Sequence, residues 1–179
     1  MNGLVLTEIG KFAEARLGAQ VWHDALRAAG IAPRIYYRVA DYPDQEALAL
    51  LSVLSSCLQQ PVQAVLEGLG EFIVPDLIKI ARFWIKPEWK TLDLIANTER
   101  TIHETLRHET SRTDPPRLRC RRSGPQEVVV IYDSARRMCA MARGIVAGVA
   151  RHYGEKVSIA EPRCMLKGDA ECELVVRLT

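Results

Sequence analysis

The stretch "RLRCRRSGPQEVVVIYDS", residues 117–134, separates a helical part of the chain from a strand-forming part. Within it, an arginine-rich run and a valine-rich run flank the turn residues Ser123, Gly124 and Pro125. Two such runs joined by a short turn containing glycine and proline are typical of a β-hairpin. The preceding Pro115-Pro116 pair ends any earlier helix, because proline lacks the amide donor that a helix needs.

Ahead of this hairpin, apolar side chains recur at helical spacing. The pattern predicts helices that begin near Leu4, after Pro43 and at Pro61, and a long helix from about Pro87 to His108. Pro75 is expected to interrupt the helix that begins at Pro61.

After the hairpin, "ARRMCAMARGIVAGVARHYG" (135–154) predicts a helix closed by Gly154. The remaining residues predict two strands around a Lys167-Gly168-Asp169 turn. The expected fold class is α+β: a helical N-terminal lobe, then a four-stranded antiparallel sheet with a packed helix. Residues 1–179 show no linker and are expected to form a single domain.

Composition excludes several classes of protein. The 179 residues are 48% hydrophobic and 26% charged, with a formal net charge of +2, which is typical of a soluble globular domain. No apolar run is long enough to span a membrane, and no signal peptide is evident, so we expect a cytoplasmic protein without a membrane partner. The basic run Arg117–Arg122 contains no aromatic residue, so nucleic acid is not an expected partner.

Five cysteines, in a chain without an export signal, predict reduced thiols rather than a disulfide framework. Cys139, Cys164 and Cys172 all fall in the C-terminal unit of sheet and helix. Cys57 and Cys120 are expected to be structural.

Two groups of polar residues are candidates for a binding site. Tyr132, Ser134 and Arg136 would share one face if the strand stays extended, and their hydroxyl and guanidinium donors favour an anionic target. His103 lies beside Ile102 on the long predicted helix and is expected to point inward. A histidine in such a place is either a hydrogen-bonded core residue or a metal ligand.

The order and spacing of these residues resemble the haem nitric oxide/oxygen binding (H-NOX) family over essentially the whole chain. The resemblance rests on His103, on "PPRL" at 115–118 and on the Tyr-x-Ser-x-Arg triplet about 30 residues after the histidine. It implies a haem b buried between the lobes, with His103 as the iron ligand. It further implies that Pro116 packs on the porphyrin and that Tyr132, Ser134 and Arg136 hold the propionates.

The resemblance also implies which gas is bound. Oxygen-binding members carry a tyrosine at the position that Met141 occupies here, and that hydroxyl stabilises bound oxygen. The other implied wall positions are also apolar: Val5, Ile73, Val74 and Ile145. We therefore expect binding of nitric oxide and, more weakly, carbon monoxide, with little stable oxygen binding. Met141 is a less favoured alternative as a second axial ligand, since that would block the sensing site.

The function implied by the resemblance is a stand-alone haem-based nitric oxide sensor and not an enzyme. Nitric oxide binding to ferrous haem would break the bond to His103 and signal to a partner, a histidine kinase or a cyclic-di-nucleotide enzyme. The alternative is a haem-free domain that senses zinc, redox state or a small ligand, since "CMLKGDAEC" (164–172) resembles small-ligand domains of the 4-vinyl reductase type. No histidine can be placed beside a cysteine, so a cysteine nucleophile lacks support.

The C-terminal cysteines form a candidate zinc site. Some H-NOX members bind zinc through three cysteines and a histidine, and the place of that histidine is held here by Glu161. A carboxylate is an acceptable zinc ligand, so the resemblance implies the set Cys139, Glu161, Cys164 and Cys172. Reduced thiols in a small core, and a pair that oxidises to a disulfide, remain the alternatives.

Overall fold

The computed structural model describes residues 1–109 and 114–179, together with every side chain of these ranges except those of His108 and Glu109. Four helices form the N-terminal lobe: α1 (Gly3–Leu17), α2 (Gln20–Ala28), α3 (Asp44–Leu58) and α4 (Val62–Ala81). The sequence also predicts a helix-breaking stretch, "TSRTDPP" at 110–116, and a surface position for His108. Residues 110–113 and the His108 side chain lie outside the described residues.

The N-terminal helices bury one continuous apolar core, to which each contributes side chains at helical spacing. Its fully buried members include Leu6 and Ile9 of α1, Leu26 of α2 and Leu50 of α3. Gly18 ends α1 with a φ of 93°, a conformation that glycine adopts without a Cβ clash. The predicted helical N-terminal lobe is confirmed.

Pro75 lies inside α4, and the helix continues past it to Ala81. The prediction that Pro75 interrupts this helix is therefore wrong. Proline withholds the amide that would bond to the Glu71 carbonyl, but the flanking Ile73 and Val74 are each only 1% exposed. Their burial holds the turn in helical geometry against the loss of one hydrogen bond.

The long helix predicted from about Pro87 is confirmed, but it begins at Thr91. It comprises α5 (Thr91–Thr98), a π-helical turn (Glu99–His103) and α6 (Glu104–Glu109). Three threonine hydroxyls donate to carbonyls four residues earlier, from Thr98, Thr101 and Thr105. Such bonds compete for helical carbonyls and favour bending, and single π turns often mark functional sites.

The second part of the fold is an antiparallel sheet in the order β1-β2-β4-β3. Its strands are β1 (Arg117–Gly124), β2 (Glu127–Asp133), β3 (Val157–Arg163) and β4 (Cys172–Leu178). Helix α7 (Cys139–His152) connects β2 to β3, and Val146 of α7 packs with α5 on inward-facing valines of the sheet. The predicted fold class, an α+β arrangement with a four-stranded antiparallel sheet and a packed helix, is confirmed.

Helices α4 and α7 cross at very short range because glycines lie at the crossing. A Cβ on Gly144 would lie 1.9 Å from the carbonyl oxygen of Glu67, and a Cβ on Gly70 would lie 2.2 Å from that of Met141. Only residues without a side chain permit this approach. The crossing fixes the N-terminal lobe against the sheet.

Among the described residues, no single helix is both long and apolar enough to span a membrane, and α3 and α4 meet that test only as a pair bent by 103°.

Cys57 is exposed on α3, so the prediction that it is structural is wrong. Cys120 is half-buried on β1, where burial raises the pKa of its thiol to about 11.

Candidate functional site

The imidazole of His103 is held by two oxygen acceptors. Its Nδ1 lies 3.0 Å from the carbonyl oxygen of Pro116 and 3.2 Å from Oε2 of Glu99. Neither oxygen carries a hydrogen, so Nδ1 is the protonated nitrogen. The lone pair of Nε2 is then available, and no described residue bonds to it. The side chain is only 15% exposed, which confirms that it points inward.

Glu99 was not identified from the sequence, although it stands four residues before His103, where helical side chains meet. Its carboxylate also accepts hydrogen bonds from Arg107 and from the amide of Leu118, the latter at 3.0 Å. Burial acts to raise the pKa of Glu99, but the bonds from His103 and Leu118 hold it below the ordinary value. The carboxylate therefore stays ionised beside the ring and fixes its orientation.

Pro116, whose carbonyl accepts the bond from His103, lines an open pocket of about 360 Å³. Asp44, Ser134 and Arg136 line the same pocket. The structure thus brings together, at one opening, three of the residues that the resemblance assigned to a haem: Pro116, Ser134 and Arg136.

The Tyr-x-Ser-x-Arg triplet does not lie on one face of a strand. Strand β2 ends at Asp133, so the prediction of extended geometry through Arg136 is wrong beyond that point. Tyr132 is 3% exposed and packs against the cysteines, and burial raises the pKa of its hydroxyl. The chain turns after β2 because the Arg137 amide bonds to the Ser134 carbonyl.

Arg136 is paired with a carboxylate of the protein itself. Its Nε donates to both oxygens of Asp44, at 3.1 and 3.0 Å, and its Nη1 donates to the Asp114 carbonyl at 2.8 Å. Oδ1 of Asp44 also forms an ion pair with the amino group of Met1, at 2.6 Å. Burial opposes ionisation of Asp44, but these two cations lower its pKa below the ordinary value.

The implied distal wall residues come from three helices and are largely buried. Ile73 and Met141 belong to the core of the N-terminal lobe, against which Val5 and Ile145 pack. Val74 belongs to a neighbouring cluster that reaches Ile102, the residue before His103. All five side chains are apolar, and Ile145 contacts both clusters.

The four predicted zinc ligands converge. The sulfur atoms of Cys139, Cys164 and Cys172 and a carboxylate oxygen of Glu161 all lie within 4.8 Å of one another. The Cys164 sulfur is 3.7 Å from that of Cys139 and 3.9 Å from that of Cys172. A tetrahedron with zinc–sulfur bonds of about 2.3 Å has edges of about 3.8 Å, so the spacing fits such an ion.

Two further observations bear on this cluster. Oε1 of Glu161 is buried without a hydrogen-bond partner in the described structure, a state that a bound cation would relieve. Burial and the neighbouring thiols raise the pKa of Cys139, and burial raises that of Cys172. These thiols therefore stay protonated until an ion displaces their protons.

A family model described as haem-NO-binding matches residues 2–161, which is most of the chain. The chain belongs to the H-NOX family. H-NOX domains bind haem and serve as gas sensors rather than as catalysts. No curated protein matches the sequence at a significant level.

The solved structures agree on the fold. An H-NOX protein from S. oneidensis in the Fe(II)NO state is 22% identical, with a TM-score of 0.93 and coverage of 100% of this chain and 99% of that one. The Fe(II)CO state from Shewanella oneidensis is also 22% identical, with a TM-score of 0.89 and the same coverage. The unliganded Fe(II) protein from K. algicida is 17% identical, with a TM-score of 0.87 and coverage of 100% and 97%.

The residues present fit a haem on the side of His103. Nε2 of His103 is available as the ligand atom. The Glu99 carboxylate and the Pro116 carbonyl orient the ring, as the outer partners of an axial histidine do. That a haem is buried between the two lobes stays a prediction.

Proposed function

We propose that this H-NOX domain is a haem-based nitric oxide sensor that contains haem b. The observation that carries the proposal is the His103 ring, whose Nδ1 proton is held by Pro116 and Glu99 so that Nε2 can bind iron. When bound, haem supplies a ferrous iron that takes nitric oxide or carbon monoxide. Side chains of the protein would supply the iron ligand, the wall on the gas side and the contacts to the propionates.

His103 would hold the iron through Nε2, and its release on nitric oxide binding would be the switch. Through His103, the helical segment Thr91–Glu109 would be attached to the haem. Glu99, on the same helical segment, and the Pro116 carbonyl would hold the orientation of the ring with or without iron. The π-helical turn Glu99–His103 supports this role, since single π turns inside helices often mark functional sites.

The wall opposite His103 selects the gas. Val5, Ile73, Val74, Met141 and Ile145 carry no hydroxyl or amide that could donate to a bound diatomic. Oxygen on ferrous haem takes partial negative charge and needs such a donor, whereas nitric oxide does not. We infer binding of nitric oxide and carbon monoxide without a long-lived oxygen complex.

The solvent edge of the porphyrin would be held at the pocket beside Pro116. Arg136 presents a guanidinium there, already fixed by Asp44 and the Asp114 carbonyl. Its Nη2 has no partner among the described residues and suits a propionate. Ser134 lines the same pocket and can add a hydroxyl. Tyr132 would act indirectly, since it is buried against the cysteines and supports the turn.

The output would pass to a separate protein. We infer that residues 1–179 act as one cytoplasmic domain whose partner is a histidine kinase or a cyclic-di-nucleotide enzyme. The support for this is the family: H-NOX domains carry sensing without catalysis. The coupling element is the Thr91–Glu109 segment, which packs on both the sheet and the N-terminal lobe.

We also propose a structural zinc ion held by Cys139, Glu161, Cys164 and Cys172. The support is the convergence of four ligand atoms within 4.8 Å and the unpartnered Oε1 of Glu161. Zinc would join the start of α7 to β3 and β4. Metal analysis of protein purified without chelators tests it, with about one zinc per chain expected and none contradicting it.

An absorption spectrum tests the haem proposal. Protein supplied with haem should show a strong Soret band that moves when nitric oxide is added to the ferrous form. His103→Gly should lose ordinary haem loading and regain it with added imidazole. His23→Gly is the matched control, since His23 is exposed on α2 and should load haem as the parent does.

One outcome contradicts the haem proposal, and another contradicts the assignment of His103 as the iron ligand. Protein that stays colourless after haem supplementation would favour the haem-free domain that senses zinc, redox state or a small ligand. Spectra of His103→Gly that match those of the parent would show that another residue binds the iron.

A further inference from the structure

Arg143 occupies a central place between the cysteine cluster and the N-terminal lobe. It lies on α7, and its side chain is 21% exposed. Its Nη1 donates to Oε2 of Glu161 at 2.8 Å, and its Nη2 donates to Oε2 of Glu67 on α4 at 3.1 Å. The next residue is Gly144, where α4 and α7 approach most closely, so the guanidinium is fixed at a rigid point.

The charge at the cluster favours a cation in this place. Three thiolates and one carboxylate bring four negative charges, and a divalent ion neutralises two of them. A site with three cysteines and a neutral histidine would retain only one negative charge. Burying the extra charge without a partner is unfavourable in a low-dielectric interior. Arg143 is the cation that the described structure places in contact with a ligand of this cluster.

Arg143 also determines which carboxylate oxygen is free. It engages Oε2 of Glu161 and leaves Oε1 buried without a hydrogen-bond partner. The terminal torsion of a glutamate is broad and roughly two-fold, so a hydrogen-bond partner is needed to fix the rotation of this carboxylate. The guanidinium bond does so, because charge-assisted bonds to arginine are strong and directional.

We propose that Arg143 is the positioning residue that lets a carboxylate serve as the fourth ligand of the cluster. It supplies the counter-charge for Glu161 and aims Oε1 at the three sulfurs. The inference rests on the proposed metal site and is independent of the haem. It predicts that Arg143 is required with Glu161 in place and dispensable once an imidazole replaces the carboxylate.

Cobalt titration of the full chain under reducing conditions tests the proposal, because cobalt thiolates absorb visibly and report affinity directly. Arg143→Gln should weaken cobalt binding about tenfold to a hundredfold, as loss of an outer hydrogen bond to a metal ligand usually does. Glu67→Gln is the matched control. This variant removes the other carboxylate partner of Arg143. Because Glu67 is 44% exposed, the affinity for cobalt should change by less than about threefold.

If Arg143→Gln folds poorly, the same substitution is compared in a protein that carries histidine at position 161. Glu161→His and the double variant Glu161→His/Arg143→Gln should bind cobalt with equal affinity. Unequal affinities there would overturn the proposal, as would parental affinity in Arg143→Gln alone. If the parent binds no cobalt, the metal site and this inference both fail, while the Soret measurement still decides the haem proposal.

Discussion

At the scale of single residues, Met141 carries the clearest prediction about gas selectivity. On the proposal that Met141 lines the gas side of the haem, Met141→Tyr would add a hydroxyl that can donate to bound oxygen. The haem-loaded variant should form an oxygen complex that lasts many times longer than that of the parent, measured by absorbance after mixing ferrous protein with air. Met141→Phe is the control, since it adds the same ring without the hydroxyl. Equal lifetimes for the two variants would show that the hydroxyl is not the deciding group.

A second residue, Asp76, predicts how stability depends on pH. Bonds from Lys11, with that from Arg38, lower the pKa of Asp76 from 3.8 to about 2. Its contribution to folding is therefore complete above pH 3.8 and is lost as pH falls through about 2. Buried Glu8 in the same network has a raised pKa, mainly through burial, so its own effect runs the opposite way.

Asp76→Asn should lower the free energy of unfolding by about 1 kcal/mol at pH 7, measured by urea denaturation. The difference from the parent should shrink at pH 3 and disappear near pH 2. Asp24→Asn is the control: Asp24 and its partner Arg27 are 57% and 76% exposed, and the change should be close to zero. A deficit that stays constant with pH would contradict the role given to ionised Asp76.

At the scale of elements, the crossing of α4 and α7 depends on Gly144. Gly144→Ala should lower the free energy of unfolding by about 3 kcal/mol or more, because its Cβ would lie 1.9 Å from the Glu67 carbonyl oxygen. Gly68→Ala, also in this helix pair, is the control. Its Cβ would meet only the Phe12 ring at 3.4 Å, so the gain in helix propensity should leave stability unchanged or slightly higher. Equal effects of the two substitutions in thermal unfolding would contradict the close crossing.

The elements were largely predictable from the sequence because each is governed by nearby residues. The hairpin around Gly124, and the helix closed by Gly154, follow from turn residues and from the change in hydrophobic period. Pro75 failed as a predictor because the burial of its neighbours decides the outcome, and burial depends on distant helices. The start of the His103 helix at Thr91 rather than Pro87 is an error of boundary only.

The site was predictable where it rests on residue type and not where it rests on partners far along the chain. The cysteine cluster assembled from the expected four residues. The pairing of Arg136 with Asp44 joins residues 92 apart, and no local pattern indicates it. The contact between Glu99 and His103, in contrast, could have been predicted, because residues four apart meet on one face of a helix.

At the scale of the whole molecule, helix α7 contributes side chains to each apolar cluster found among the described residues. Met141 packs in the N-terminal lobe, Val146 packs between α5 and the sheet, and Cys139 lies in the cysteine cluster. Helix α5 likewise places Leu92 on the sheet and Leu94 against Val74 of α4. Opening either lobe therefore exposes apolar side chains of the other.

This arrangement predicts that the chain unfolds as one cooperative unit. The three tryptophans, Trp22, Trp84 and Trp89, all precede the sheet, so their fluorescence reports the helical part. Amide hydrogen exchange in β2 and β4 reports the sheet. In urea, both probes should give the same midpoint and the same free energy of unfolding. Gly144→Ala, which loosens the crossing, should be the variant in which the two probes separate. Separate midpoints in the parent would instead show that the helical lobe and the sheet are independent, so that movement of the His103 helix could not pass between them.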